Sequence, residues 1–139
     1  MRVVFDTNVV VTGLLWTGTP REILRSAEQG LFQLVTSEAI IEELRDVLDR
    51  NKFSNRLQKL NKTPDLLISD YLGFTEVVNA EDIAVPFLRD PDDAPILACA
   101  LAGQANYIVS GDPDLLTLTH FETISIVNPA QFAYFVSLI

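Results

Sequence analysis

The sequence predicts an α/β fold: a three-layer α/β/α sandwich around a central, mostly parallel sheet of four to five strands. Two observations carry that prediction. Short apolar runs (Arg2–Phe5, Leu31–Val35, Phe74–Val78, Tyr107–Val109 and Ile124–Val127) alternate with stretches of helical periodicity, the pattern of a parallel sheet covered on both faces. The chain has 139 residues, 48% of them hydrophobic and 21% charged, which suits one globular domain over 1–139 with a single packed core.

In order, Arg2–Phe5 is rich in β-branched residues and reads as a buried strand ending at Asp6. Val9–Trp16 is apolar throughout and fits a helix or extended chain equally well. Thr19 as N-cap and Pro20 at the first helical position open a helix that ends near Gly30. After the second strand, Thr36 or Ser37 caps a helix striped by Ile40, Ile41, Leu44, Val47 and Leu48. At about 100° per residue, Glu42 points away from that stripe and Glu43 lies on its border. Residues 51–73 form one or two helices broken near Thr63-Pro64. Phe74–Val78 follows as a strand, and Ile83–Leu88 as a connector interrupted by Pro86. Asp92 or Asp93 opens a helix that is apolar or small on nearly every side, so it is expected to be deeply buried and to stop at Gly103. Tyr107–Val109 ends at Ser110-Gly111-Asp112. Asp112 and Asp114 cap a short helix, and after the last strand Asn128-Pro129 starts a terminal helix.

Composition excludes several classes. No apolar run reaches the ~20 residues of a membrane span and no basic-then-apolar leader precedes the first strand, so the expectation is a cytoplasmic protein with no membrane association. The lone Cys99, set among apolar residues, forms no internal disulfide and reads as a buried inert thiol. One histidine, His120, and one cysteine argue against zinc. The net charge of −9 is unevenly spread. Residues 90–139 hold six acidic groups and no basic one, while Arg45, Arg50, Lys52, Arg56, Lys59 and Lys62 fall in one 18-residue window. That asymmetry suits an acidic pocket beside a basic rim.

Four acidic positions stand out. Asp6 and Asp112 follow strands, Glu43 borders a helical stripe, and Asp93 heads a buried helix. In parallel sheets functional groups collect beyond the carboxyl ends of the strands, so Asp6 and Asp112 converge if their strands are neighbours. Taken singly, each has a plainer role: helix cap for Asp92 or Asp93, turn former for Asp112, solvated helix residue for Glu43. Taken together, they form an all-oxygen set of the kind that Mg²⁺ or Mn²⁺ prefers. Such ions activate water and offset charge developing on a phosphodiester, with nearby Lys or Arg holding the nucleic-acid backbone.

Asp6-Thr7-Asn8 after an opening strand, Ser37–Leu44 with Glu43, Asp90-Pro-Asp-Asp93 before an Ala-rich helix, and Tyr107-Ile-Val-Ser-Gly-Asp112 resemble the PIN domain. More narrowly they resemble the stand-alone prokaryotic, VapC-like toxins of toxin–antitoxin pairs. The resemblance covers essentially the whole chain, and it rests on the ordered set of motifs, since no single tripeptide is specific. It implies a PIN-like fold and a Mg²⁺- or Mn²⁺-dependent endoribonuclease, a phosphodiester hydrolase acting on single-stranded or structured RNA. It further implies a homodimer silenced by a cognate antitoxin. It assigns Asp6, Glu43, Asp93 and Asp112 to the metal-binding catalytic positions, the spacing to the Ala-rich helix favouring Asp93 over Asp92. Ser110 becomes a supporting or phosphate contact, with Asn8, Asp90 and Asp114 as auxiliaries, and Arg45, Arg50 and Lys52 are expected to contact RNA.

Two rivals are weighed against this reading. A phosphatase or phosphoacceptor domain with Asp6 as nucleophile needs a second early Asp or a late Lys, but Asn8 stands at the first position and no Lys follows Lys62. A catalytically weak PIN-like RNA- or antitoxin-binding module would keep the fold without the turnover.

Overall fold

The computed structural model describes residues 1–80 and 93–139. The expected connector Ile83–Leu88, and with it Asp90 and Asp92, lies outside the described residues.

All five expected strands form. β1 (Arg2–Phe5), β2 (Gln33–Ser37), β3 (Thr75–Val78), β4 (Tyr107–Val109) and β6 (Ile124–Val127) are parallel, and a two-residue strand β5 (His120–Phe121) pairs antiparallel with β6. The order is β3-β2-β1-β4-β6-β5. β5 was not foreseen, because two residues carry no alternation to read. β2 also runs two residues later than expected, to Ser37, because Thr36 and Ser37 extend the pairing with β3.

Side chains along each strand divide by face, as the two-residue period of a strand requires. Val3, Phe5, Leu34 and Val109 pack beneath α1 (Thr7–Leu15), α2 (Thr19–Glu28), α3 (Glu38–Leu48), α5 (Pro64–Leu72) and α8 (Pro129–Ser137), with α4 (Ser54–Leu60) at the margin. Val4, Val35, Ile108 and Ile126 face the other way, onto α6 (Ala94–Ala102) and α7 (Pro113–Leu118). The result is the three-layer sandwich. An aromatic cluster fastens α8 to the first face: Phe132 meets Phe32, Phe5 and Tyr107 edge-on at centroid separations of 5.0, 6.0 and 5.8 Å.

Val9–Trp16 resolves into helix. α1 buries Val9, Val10, Val11 and Leu15, and Gly13 lets α2 approach so closely that a Cβ there would stand 2.9 Å from the Pro20 carbonyl. α2 is capped by Gly18 in a left-handed conformation (φ 131°), which moves Thr19 from the expected cap to the first helical residue. The other expected punctuation holds, with Ser37 and Asn128 as N-caps and Gly103 as C-cap; the structure adds Thr63 as the N-cap of α5 and Gln131 as the second member of a full capping box with Asn128. Cys99 is buried, and burial pushes its thiol up to about 12. Among the described residues no helix is long and apolar enough to cross a membrane.

Candidate active site

The sheet order reverses between β1 and β4: β2 and β3 lie to one side, β6 and β5 to the other. At such a reversal the connections leave in opposite directions and open a crevice beyond the carboxyl ends of the two central strands. β1 and β4 are in register, Phe5 opposite Val109. The Asp6 N–H continues the ladder to the Val109 carbonyl at 2.9 Å, and the Ser110 N–H reaches the Val127 carbonyl at 3.0 Å. The two strands therefore deliver Asp6 and Ser110 side by side at the mouth of that crevice.

Ser110 is fully buried, and its hydroxyl joins two carboxylate-bearing residues. It donates to Asp6 Oδ2 at 2.7 Å and accepts from the Asp112 backbone N–H at 2.9 Å. Burial raises the Asp6 pKa. The Ser110 hydroxyl and the Thr7 backbone N–H pull it back down, and the charge of Asp112 adds to the rise. Asp6 sits at the N-cap position of α1 but makes no side-chain capping bond, so capping does not account for it. Asp112 does cap: its Oδ1 accepts from the Asp114 N–H at 2.9 Å and opens α7. The turn role considered for Asp112 is thus real, and it coexists with proximity to Asp6.

Thr7 brings in the third carboxylate. Almost wholly buried in the first turn of α1, it donates its hydroxyl to Glu43 Oε2 at 3.0 Å across 36 positions of sequence. Glu43 is exposed overall, and this bond ties its carboxylate to the residue beside Asp6. Sequence reasoning gave Thr7 no role. Its one signal was its place within Asp6-Thr7-Asn8, and nothing local identifies a partner on α3.

Asp93 lies at the N-cap position of α6, 8% exposed, and makes no side-chain capping bond. The far end of α6 is at the foot of the sheet, where the Gly103 carbonyl accepts from Arg2 Nε. Nine residues at 1.5 Å each place Asp93 about 13 Å higher, at the carboxyl end shared by Asp6 and Asp112. Asn8 is exposed, and Asp114 lies in the first turn of α7. Asp90, with Asp92, is outside the described residues.

The four acidic residues share one end of the sheet without closing on a point. Among the described residues no group of three or more carboxylate, imidazole or thiol side chains is placed to hold a metal ion. The hydrogen bonds link Asp6 with Asp112 through Ser110, and Glu43 to Thr7, the neighbour of Asp6. A pair fits Mg²⁺, a hard ion that keeps several waters and takes one or two carboxylates together with substrate oxygens.

The basic window is divided in its commitments. Arg45 pairs with Asp65 at 3.4 Å and Lys62 with Asp70 at 3.3 Å. Lys52 lies over the Phe53 ring at 5.1 Å, and Arg50 is exposed.

A family model described as PIN domain matches residues 2–114. The fold is similar to a chain in the crystal structure of VapBC2 from Rickettsia felis bound to a DNA fragment from their promoter. The TM-score is 0.59 at 14% identity, over 92% of this chain and 98% of that one. No curated protein matches the sequence significantly.

Proposed function

The chain belongs to the PIN domain family, and from that premise we propose that residues 1–139 act as one metal-dependent endoribonuclease domain, the toxin of a toxin–antitoxin pair. Its setting is the cytoplasm, its substrate single-stranded or structured RNA, and its partners a cognate antitoxin and a second copy of itself. The observation that carries this reading is the Asp6–Ser110–Asp112 network at the reversal point of the sheet. Two carboxylates are held there against mutual repulsion, with burial and like charge both disfavouring ionised Asp6. A divalent cation relieves that repulsion.

Asp6 and Asp112 would hold Mg²⁺ or Mn²⁺, with Glu43 and Asp93 completing the acidic surroundings. When bound, the ion supplies an activated water and offsets charge on the scissile phosphate. The chain's own residues prepare for this. Ser110 fixes the rotamer of Asp6, and its acceptance of the Asp112 N–H sets the turn that presents the second carboxylate. Thr7 holds Glu43 toward the same place. Asn8, Asp114 and Asp90 remain as auxiliaries, and Arg45, Arg50 and Lys52 supply phosphate contacts, with Arg45 having to exchange Asp65 for phosphate. The VapBC2 complex, whose chain shares this fold, supports an antitoxin partner.

Purified protein is expected to cleave single-stranded RNA with Mg²⁺ or Mn²⁺, to stop on addition of chelator, and to lose activity as Asp6→Asn and Asp93→Asn. Equal cleavage by wild type and both variants would expose a contaminant and remove the site assignment. RNA binding without turnover would establish the alternative, a catalytically weak PIN-like RNA- or antitoxin-binding module.

A further inference from the structure

Trp16 caps the carboxyl end of α1, is 44% exposed, and is the only tryptophan of the chain. Over it lies the Arg56 guanidinium, 4.6 Å from the ring centroid. Arg56 is doubly fixed, because its Nε also donates to the Leu15 carbonyl at 2.6 Å, closing the carboxyl end of α1. A cation at a helix C-terminus is favourable in its own right. That accounts for the Nε bond but not for an indole left open to water.

We propose that Trp16 and Arg56 form a platform that receives a base and an adjoining phosphate of single-stranded RNA. The proposal rests on the ribonuclease reading above. Stacked on the ring and pinned through Nε, the guanidinium has used one of its five N–H donors. The remaining four lie in a planar fork that matches a phosphate. The indole offers the π-face on which an unpaired base stacks, an interaction that tolerates any base. Phe53 with Lys52 above it repeats the aromatic–cation arrangement on the next segment.

Charge decides where a polyanion can approach. The chain carries −9, and six of its ten cations lie between Arg45 and Lys62, so this stretch is the route of least repulsion. Within it Arg45 and Lys62 are compensated by Asp65 and Asp70. Among the described residues neither Lys52 nor Arg56 has a carboxylate partner. Four cations of the window thus lack a carboxylate partner among the described residues, and two of them, Lys52 and Arg56, sit over aromatic rings. α1 itself links the platform to the site: Asp6 precedes its first residue, and ten residues at 1.5 Å put Trp16 about 15 Å away, a span that a few nucleotides cover.

The test uses the intact protein in chelator, so that nothing is cut, titrated with a short labelled oligoribonucleotide of mixed sequence. Trp16 emission and the anisotropy of the label are read together. The expected result is quenching of Trp16 that saturates with the anisotropy. Trp16→Leu and Arg56→Lys are each expected to weaken binding by roughly tenfold, and Arg56→Gln to lower the salt slope by about one phosphate contact. Both positions are at the surface or partly so, and circular dichroism checks each variant. The emission of the wild type is informative without any variant. RNA binding with unchanged emission and equal affinity in all variants would overturn the platform and leave the ribonuclease reading standing. No RNA binding by the wild type in chelator at low salt would overturn the platform, and cleavage with Mg²⁺ or Mn²⁺ tests the ribonuclease reading separately. Quenching by anionic phospholipid vesicles or by a poly-glutamate peptide, but not by RNA, would overturn the platform in favour of another acidic partner.

Discussion

Replacing Ser110 by alanine removes one oxygen that serves two neighbours at once. The bond to Asp6 Oδ2, at 2.7 Å, is charge-assisted and partly buried. Bonds of that kind contribute about 1.5–3 kcal/mol, and the partial exposure of Asp6 argues for the lower half of the range. The Asp112 N–H, which loses its acceptor at 2.9 Å, is partly exposed and can turn to water, so it adds little. We expect metal-free Ser110→Ala to be about 2 kcal/mol less stable than wild type at neutral pH. The loss depends on pH with a definite sign. Folding raises the Asp6 pKa above its ordinary value of 3.8, so the native state holds that proton more tightly than the unfolded chain. Stability from this group is therefore present at low pH and is lost as pH rises from the unfolded value through the folded one. The Ser110 hydroxyl opposes the rise, and its removal lifts the folded pKa further. The difference between variant and wild type should accordingly be smallest near pH 4, grow through the window above it, and level off. Urea unfolding in chelator, followed by circular dichroism at several pH values, measures this directly. A pH-independent difference would show that the hydroxyl is not coupled to the Asp6 carboxylate, and no difference at all would refute the network.

Two other substitutions probe features that surround the network. Thr7→Val keeps the shape of a buried side chain and removes the donor to Glu43, so stability should change by less than about 1 kcal/mol. RNA cleavage should fall roughly ten- to hundredfold through misplacement of Glu43, with Thr7→Ser retaining activity; unchanged turnover would remove Glu43 from the reaction. Gly13→Ala improves helix propensity by about 1 kcal/mol. Its Cβ, however, would stand 2.5 Å from Leu24 Cδ1 and 2.9 Å from the Pro20 carbonyl, and overpacking of that kind costs about 1–3 kcal/mol. A net loss of about 1 kcal/mol is expected in thermal unfolding, and a gain would mean that α1 and α2 separate freely.

The sequence carried the fold wherever pattern and punctuation agreed, as at Ser37, Gly103 and Asn128. It was ambiguous over Val9–Trp16 because α1 packs against α2, α3 and α4 and shares one core with Val3 and Phe5 of the sheet, so apolar residues occur on nearly every side and erase the 3.6-residue period. Asp6 and Asp112 were identifiable as residues that end strands, but their proximity depended on β1 and β4 being neighbours, which only the sheet order supplies. Thr7 and Glu43 meet across 36 positions, and Arg45 meets Asp65 across 20. Local pattern holds nothing of such pairings, and so Thr7 was passed over while Arg45 was assigned to RNA without its carboxylate.

The register of β1 with β4 has a consequence for when the site can exist. Its two halves are separated by 104 positions. Parallel pairing of such distant strands pays its loop-closure cost before any contact rewards it, so it forms late. During synthesis Asp6 emerges before Ser110 and waits for the 104 positions that separate them. A nascent chain that has not yet reached Ser110 and Asp112 therefore carries the first carboxylate without its partner, and the acidic pair assembles only once both segments have been made.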